Sequence, residues 1–320
     1  MRKRVQIALA VFLVTVVGVI AWQVVRLREP VYQGKPLGVW LQGYGPDGSS
    51  PEVDDAVRMM GTNVIPTLLG MLQTEDSRLK LTLAALGFRY PPAETQHMRA
   101  EKGLSALGAD ASNAVPTLIE IYEQNTSPTA RRAAANALVE VGPAAKLAIP
   151  ALIKSASSTN ADVRAFAVYT LGRMALEPEM VDPVLIRALR DPDREVRYNA
   201  AFGLSALAFM GGDAKPAVPA LVEALQDSYV SARCGAAQAL GHIHSEPGTV
   251  VPALMESLRD PDANVRAFAA AALRDFGTNG KPAVAPLVEL LGDTNQQARG
   301  AAAKSLKAID PEAAAQAGVK

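Results

Sequence analysis

Residues 260–273 read DPDANVRAFAAAAL, and residues 191–204 carry the related string DPDREVRYNAAFGL. Each string places an Asp-Pro-Asp turn just before an arginine, Arg266 or Arg197. Alanine follows at offset three from the arginine, and leucine follows at offset seven. Offsets of three, four and seven fall on one side of an α-helix. The strings therefore predict a polar turn that leads into a helix with a buried Ala/Leu side.

The arginine belongs to a series that recurs at separations of 33, 33, 36, 33 and 33 residues: Arg131, Arg164, Arg197, Arg233, Arg266 and Arg299. A series of prolines keeps step with it from Pro116 onwards: Pro66, Pro116, Pro150, Pro183, Pro219, Pro252 and Pro286. Both series share a three-residue insertion near residues 211–213. Because proline is tolerated in the first turn of a helix, each proline predicts the start of a helix A, and each arginine lies on a following helix B. Two markers in step predict a repeat of about 33 residues.

A carboxylate stands six residues before the arginine in four units: Asp191 before Arg197, Asp227 before Arg233, Asp260 before Arg266 and Asp293 before Arg299. The spacing allows the carboxylate to reach the guanidinium of its own unit or that of the adjacent unit. Such a pair satisfies two buried charges and fixes the stacking register, with little net gain in stability. We interpret these charges as structural, and no catalytic residue is predicted.

The chain resembles the HEAT family, in particular its short bacterial variants and the lyase-type HEAT-like repeats. The resemblance rests on the early prolines of helix A, the Asp and Arg six residues apart, and the Val-Arg-x-x-Ala-x-x-x-Leu pattern of helix B, and it covers residues 52–311. It implies an all-α solenoid, a right-handed superhelix of antiparallel helix pairs whose helix B side lines a concave ligand-binding surface. It names no activity, because the family includes scaffolds, transport factors and a few enzymes.

The N-terminal region is apolar from Ile7 to Val25, with Arg2, Lys3 and Arg4 before this run and two arginines after it. A helix of this length spans a bilayer, and the excess of basic residues at its start favours a cytoplasmic N-terminus and an exported body. We therefore expect a single-pass membrane protein anchored through residues 7–25. Residues 19–21, Val-Ile-Ala, offer an alternative as a signal-peptide cleavage site, which would give a secreted product.

The predicted organisation has a membrane anchor at 1–28, a connector at 29–51, a repeat array at 52–311 and a frayed tail at 312–320. The array is irregular to about residue 112 and regular over 113–311. Fifty residues separate Pro66 from Pro116, and Tyr90-Pro91-Pro92 breaks a helix there, so we expect Glu94–Leu107 to form an added helix. In the connector, Trp40 and Leu41 are expected to pack onto the first hairpin, with a partner-docking peptide as the alternative.

Composition argues against several classes of function. Of 32 basic and 32 acidic residues, five and one lie in residues 1–30, so the remainder carries 27 basic and 31 acidic residues and a net charge of −4. A nucleic-acid partner is not expected from such a balance. Neither a metal nor a cofactor is expected, because His242 and His244 lie two apart without a nearby cysteine and no glycine-rich phosphate loop occurs. The single cysteine, Cys234, is interpreted as a packed thiol.

The offsets one, five and eight after the arginine vary between units and include Tyr169, Tyr198 and Phe202. These aromatic residues are predicted to form a binding patch on helix B, with gap-filling between units as the alternative. The predicted function is a non-catalytic, membrane-anchored scaffold that binds protein partners and takes no small-molecule substrate. A lyase-like or other enzyme on a HEAT array and a self-associating structural envelope protein are the alternatives.

Overall fold

The computed structural model describes residues 29–45, 50–77, 91–124 and 127–319. The predicted membrane-spanning segment 7–25 lies outside these residues. The chain divides into two compact units, residues 1–141 and 142–320. The described residues are almost entirely helical, apart from one two-stranded antiparallel ribbon near the start.

The first unit begins with this ribbon, in which strand β1 (Val31–Tyr32) pairs with β2 (Lys35–Pro36). Its described helices are α1 (Leu37–Trp40), α2 (Pro51–Met60), α3 (Ile65–Leu72), α4 (Ala93–Leu107), α5 (Val115–Gln124) and α6 (Pro128–Val141). Short 3₁₀ turns over Leu41–Gly43, Gly61–Val64 and Gly108–Ala114 connect some of them. Leu37, Leu41 and Tyr44 of the connector are fully or almost fully buried, and Tyr44 donates a 2.6 Å hydrogen bond to Asp54 of α2. The connector is therefore part of the packed unit.

The indole of Trp40 takes a different place from Leu41. Its Nε1 donates to the carbonyl oxygen of Tyr32 at 3.1 Å, and its ring lies 6.0 Å from that of Tyr32 and 4.8 Å from Nζ of Lys35. Trp40 thus closes the β-ribbon, whereas Leu41 enters the core and approaches Gly103 of α4.

The expected helix near Glu94–Leu107 is present as α4. It packs against α3 and α6, which is how a helix B packs against its own helix A and the next helix B. His97 of α4 stands 34 residues before Arg131 and so occupies the arginine position of the repeat. Among the described helices, α4 therefore occupies the place of a helix B.

The second unit contains five helical hairpins within residues 142–319. Their A helices are α7 (Ile149–Ser155), α9 (Pro178–Ala188), α11 (Val218–Ala224), α13 (Pro247–Ser257) and α15 (Val284–Leu290). Their B helices are α8 (Ala161–Met174), α10 (Arg194–Phe209), α12 (Val230–Ile243), α14 (Ala263–Asp275) and α16 (Gln296–Ile309), and α17 (Pro311–Gln316) follows. Each B helix packs on the next along the series, which forms one continuous layer. The Ala and Leu at offsets three and seven are buried throughout this layer, as the periodicity predicts.

The prolines do not all open a helix A. Three A helices follow 3₁₀ segments, Gly142–Ala148, Lys215–Ala217 and Gly277–Ala283, and start beside the repeat proline. In α9 and α13 the repeat prolines, Pro183 and Pro252, lie inside the helix. There a second proline, Pro178 or Pro247, occupies the first turn and starts the helix five residues earlier.

Close approach of B helices depends on small residues. A Cβ on Gly172 of α8 would overlap the Cα of Gly203 on α10, and both are helix-interior positions where glycine weakens the helix itself. At these two positions, the close contact between the two backbones offsets the low helix propensity of glycine. Backbone atoms cannot move aside as a flexible side chain can, so a larger residue is excluded here.

One continuous helical stretch of the described residues, Pro128–Ser155, has the length and apolarity to cross a membrane. This stretch contains α6, a 3₁₀ segment and α7, and some of its apolar side chains, including Leu138 and Leu152, are fully buried in the protein. Because these buried side chains contribute to its apolarity, the stretch is weak evidence for a membrane span.

Candidate interaction surface

An ordered ladder of charges runs along the turns between helices A and B in the second unit. Each guanidinium donates to the carboxylate of the following turn: Arg164 to Asp191, Arg197 to Asp227, Arg233 to Asp260 and Arg266 to Asp293. The Arg164–Asp191 and Arg266–Asp293 contacts are 2.8 and 2.7 Å long. Of the two partners that the sequence allowed, the adjacent unit supplies the carboxylate.

The arginine also holds its own turn. Nη1 of Arg197 donates to the carbonyl oxygen of Asp191 at 2.9 Å, and Arg233, Arg266 and Arg299 repeat this contact six residues back. Each aspartate in turn accepts the backbone N–H two residues on, as Asp191 does from Asp193 at 2.9 Å. One arginine thereby joins two successive turns, which gives the pair a structural role in stacking.

The ladder changes the acidity of Asp191, Asp227 and Asp293. Burial alone would raise the pKa of Asp191 and of Asp227, but hydrogen bonds from Arg164 and Arg197 and from the backbone lower both pKa values overall. For Asp293 the hydrogen bond from Arg266 is the largest cause of a lowered pKa. These carboxylates are consequently held in the charged form that the guanidinium requires.

In the first unit, His97 joins two successive hairpins, as the ladder arginines do in the second unit. It is 2 % exposed, its Nε2 lies 3.0 Å from the carbonyl oxygen of Thr74, and its Nδ1 lies 2.8 Å from Oγ1 of Thr129. Thr74 lies in the turn that follows α3, and Thr129 lies in the first turn of α6. A histidine can therefore replace the two-turn contact where the spacing is irregular.

A different surface crosses the B helices at their variable positions. Tyr169 and Phe202 stack with ring centroids 5.9 Å apart, and Tyr198 lies 6.3 Å from Phe202. The structure thus brings together the three aromatic residues that the sequence singled out, and each is partly exposed. Phe166 and Tyr229 extend the row, 6.2 Å from Tyr169 and 6.5 Å from Tyr198 respectively. We call these five residues the aromatic row; it spans α8, α10 and the start of α12.

Tyr229 was not predicted from the sequence, because it precedes α12 and so lies outside the helical offsets that identified the other aromatic residues. It stands at the N-cap of α12, where the other B helices of this unit carry Asn160, Asp193, Asp262 and Asn295. Those side chains accept a backbone N–H, whereas Tyr229 makes no side-chain cap. Loss of a cap costs about 1 kcal/mol. The departure from a capping residue was visible in the repeat alignment and is the signal that could have identified Tyr229.

Charged groups border the aromatic row. The guanidinium of Arg173 lies 5.8 Å from the ring centre of Tyr169, and that of Arg194 lies 5.1 Å from Tyr229. The hydroxyl of Tyr229 donates to Glu195 at 3.1 Å. Cations over ring faces and a polar rim are features of protein-binding surfaces.

Other reactive side chains of the described residues are placed for structure. Burial raises the pKa of the Cys234 thiol to about 11, so little thiolate forms at neutral pH. His244 ends α12 in a left-handed conformation, and its Nδ1 lies 2.9 Å from the carbonyl oxygen of His242. Across the described ranges, no three His, Cys, Asp or Glu residues are grouped so that they could hold a metal ion.

Comparison with known proteins places these hairpins in a family. The family model for HEAT repeats matches residues 149–231, 181–256 and 251–317, which together extend over more than half of the 320-residue chain. The chain belongs to the HEAT-repeat family. The ladder and the Ala/Leu layer are therefore the structural signature of HEAT hairpins in this chain, and the aromatic row is superimposed on them.

Among curated relatives, the phycocyanobilin lyase subunit beta of Nostoc sp. is 36% identical over 102 residues, which is 32% of this chain. The match covers 48% of that relative, so the chain spans about half the length of the protein it resembles.

Two solved structures share the fold. A chain of the Kap95p–RanGDP complex matches 88% of this chain and 48% of its own length, with a TM-score of 0.56 and 13% identity. An engineered protein matches 88% of this chain and 87% of its own, with a TM-score of 0.50 and 22% identity. At these identities the likeness concerns the fold alone: an all-α solenoid of stacked helices.

Proposed function

We propose that this HEAT-repeat chain is a non-catalytic scaffold that binds protein partners through the B helices of its second unit. The aromatic row carries the proposal. Five aromatic side chains lie in one connected series on three successive hairpins, at positions that the repeat does not need for its core. Partly exposed aromatic residues are enriched at the centres of protein interfaces, where they contribute a large share of the binding energy.

The arrangement of potential catalytic groups supports a non-catalytic role. Ser205 and His242 come within 3.0 Å, but Ser205 is 3 % exposed. Nδ1 of His242 also lies 3.1 Å from the carbonyl oxygen of Ser205, so a protonated Nδ1 serves both contacts as a donor. In that form the imidazole cannot take a proton from the hydroxyl, which a nucleophilic serine would require.

We further propose that residues 7–25 anchor the scaffold in a membrane, with the N-terminus in the cytoplasm and the repeats exported. The support is the sequence: an apolar run, interrupted mainly by Thr15, Trp22 and Gln23, that is preceded by three basic residues, Arg2, Lys3 and Arg4. Cleavage after Ala21 would release the same scaffold as a secreted protein.

A second candidate function is lyase-like binding of a bilin. The 102-residue match to a phycocyanobilin lyase subunit favours it, and the aromatic row offers a surface on which a conjugated tetrapyrrole could stack. Arg173 and Arg194 would lie near the carboxylates of such a ligand.

The test is crosslinked capture from native membranes with three forms of the full chain. Wild type and a control with Met180→Ala and Val288→Ala, two exposed apolar residues of A helices, should recover the same partner proteins. The variant Tyr198→Ala with Phe202→Ala should recover them at least tenfold less well, with a Tm change of only a few degrees. Equal recovery by all three forms, or no protein above background, would overturn the scaffold.

The same preparation separates the alternatives. A titration with phycocyanobilin that raises the Tm of wild type but not of the Tyr198→Ala/Phe202→Ala variant would establish the lyase-like function instead. Capture of this chain alone, with oligomers in purified samples, would establish a self-associating envelope protein. A large fall in Tm for the aromatic variant would assign the row to the core.

A further inference from the structure

The last two B helices of the second unit form a groove whose chemistry differs from that of the aromatic row. The groove has a volume of about 420 Å³ and lies between α14 and α16. Its floor consists of small residues, Ala271, Gly300 and Ala301, and its polar lining includes Arg274, Lys304 and Gln297. Apart from Gln297, which lies two residues before Arg299, these residues occupy offsets one, two, five and eight from the repeat arginines. The groove therefore belongs to the same variable side of the B helices as Tyr198 and Phe202.

The floor of the groove is open to a ligand backbone. A Cβ added to Gly300 would meet no atom within 4 Å, so glycine is not required there for packing between the helices. Small side chains next to long polar ones leave a shallow channel in which an extended chain can lie. The glutamine side chains supply donors and acceptors that match peptide groups.

The charges at the groove are predominantly basic. Lys304 is exposed on α16, and the residues one turn away on the same helix, Gly300 and Ala308, carry no charge. Arg274 is 44 % exposed and shares its charge with Asp275, whose side chain is 29 % exposed. Lys307 adds a further basic residue to the last turns of α16. The surface is therefore locally basic on a body whose net charge is −4.

We propose that the partner of this scaffold presents an acidic, extended segment to the groove between α14 and α16, with adjacent apolar side chains on the aromatic row. The proposal rests on the scaffold function and names the chemistry of its partner. Charge complementarity selects the acidic segment, since carboxylates pair with Lys304 and Arg274 while the row takes apolar groups. Phe268 of α14, which is 38 % exposed, is a further apolar side chain at the surface of the B helices.

The length of the segment follows from the helix layer. Helices in contact lie about 8–10 Å apart, so the four steps from α8 to α16 span roughly 35 Å. An extended peptide advances about 3.3 Å per residue, and about 11 residues therefore cover the surface. A partner segment of this length would contact both the row and the groove.

The experiment measures fluorescence anisotropy of the full chain with labelled 14-residue peptides. Each peptide has alternating Leu, Phe and Ser in one half and six Glu in the other, and both orders of the halves are used. Matched peptides carry Gln or Lys in place of Glu. The Glu peptide in its preferred order should bind at least tenfold more tightly than its Gln counterpart at low ionic strength, with an advantage that decreases as salt is added. Equal affinity for Glu and Gln peptides would overturn the proposal.

A matched pair of charge reversals locates the site. Lys304→Glu should weaken the Glu peptide at least tenfold, and Lys304→Arg should retain binding. Lys154→Glu, at an exposed position of helix A in α7, changes the net charge equally and should alter affinity less than twofold. Equal effects of the two Glu substitutions would mean that only net charge matters, and tighter binding of a 14-nucleotide single-stranded DNA would replace the acidic peptide by nucleic acid. Either result would overturn the proposal.

Capture from native membranes with Lys304→Glu distinguishes a failure of the acidic-segment proposal from a failure of the scaffold proposal. Loss of the same partners that Tyr198→Ala/Phe202→Ala loses supports both. Unchanged capture with Lys304→Glu, while the aromatic variant fails, overturns the acidic segment and leaves the scaffold intact. Unchanged capture with both variants overturns both.

Discussion

The charge ladder and the aromatic row belong to the same B helices and the turns that lead into them, yet they follow opposite rules. The ladder repeats from hairpin to hairpin with the same atoms in contact, Arg Nε and Nη2 on one side and both carboxylate oxygens on the other. The row uses a different set of positions in each hairpin, and at Tyr229 it replaces a capping residue. Positions that hold the repeats together are constant within one chain, whereas positions that differ between repeats are available for recognition.

The packed side of the B helices should tolerate the least change. Gly172→Ala places a methyl group against the backbone of Gly203, and neither helix can yield without disturbing the Ala/Leu layer. We expect a loss of about 3 kcal/mol or more in the free energy of unfolding. Urea unfolding measures this loss.

Gly300→Ala is the matched control, because the same substitution in an open helical position gains helix propensity. Equal stability of the Gly172→Ala variant and wild type would show that the two helices are not in backbone contact.

Removal of one ladder carboxylate should have the next largest effect. Asp227→Ala leaves the guanidinium of Arg197, only 16% exposed, without its charged partner, although the carbonyl of Asp191 still binds it. We expect a loss of about 2 kcal/mol. Glu256→Ala, at an exposed site on α13, should change stability by less than about 0.5 kcal/mol. If the two variants unfold at the same urea concentration, the ladder does not contribute to stability.

The ladder also predicts how stability depends on pH. The folded-state pKa values of Asp191, Asp227 and Asp293 lie below the ordinary value, so the unfolded chain binds more protons than the folded one in the acidic range. The stabilisation is fully present above the unfolded pKa of about 3.9 and is lost as pH falls through the lower folded values. Urea midpoints between pH 6 and pH 2.5 should fall below about pH 4, and less steeply for Asp227→Ala than for wild type.

The smallest effect has the opposite sign. Tyr229→Asp restores the capping residue that Asp193 and Asp262 provide elsewhere, so the free energy of unfolding should rise by about 0.5–1 kcal/mol. The same variant shortens the aromatic row and should weaken partner capture. Differential scanning fluorimetry with the capture assay tests both at once. Increased stability with undiminished binding would remove Tyr229 from the interaction surface.

The repeat itself was predictable from the sequence because periodicity records which residues meet along one helix. The Ala/Leu layer and the grouping of Tyr169, Tyr198 and Phe202 follow from offsets of that kind. The same periodicity left two candidate carboxylates for each ladder arginine. One aspartate lies six residues before the arginine, and the other lies about 27 residues after it, in the next hairpin. Only the stacking of the hairpins selects the second distance.

The remaining differences come from positions where the repeat is imperfect. Pro183 and Pro252 were predicted to start helices, but Pro178 and Pro247 start them earlier because a proline fits the first turn wherever it occurs. His97 was not linked to the arginine series because its chemistry differs, although its contacts are equivalent. The repeat alignment shows that Tyr229 replaces a capping residue, but its contact with Tyr198 and the groove beside Lys304 depend on how neighbouring helices pack. The predicted domain limits, and the membrane segment within residues 1–28, stay predictions.

The two-turn grip of each ladder arginine has a consequence for how such a chain can change length. An arginine in one hairpin is completed by the aspartate of the next, so each of the three hairpins from α9 to α14 carries half of a joint at each side. Duplication of a 33-residue segment would supply a matching half to both neighbours without any new residue. A longer hairpin is tolerated where its extra residues lie away from the joint, because the 36-residue step from Arg197 to Arg233 keeps the contact between Arg197 and Asp227. The ladder therefore favours gene rearrangements that add or remove whole hairpins, because these keep each arginine beside an aspartate of the neighbouring hairpin.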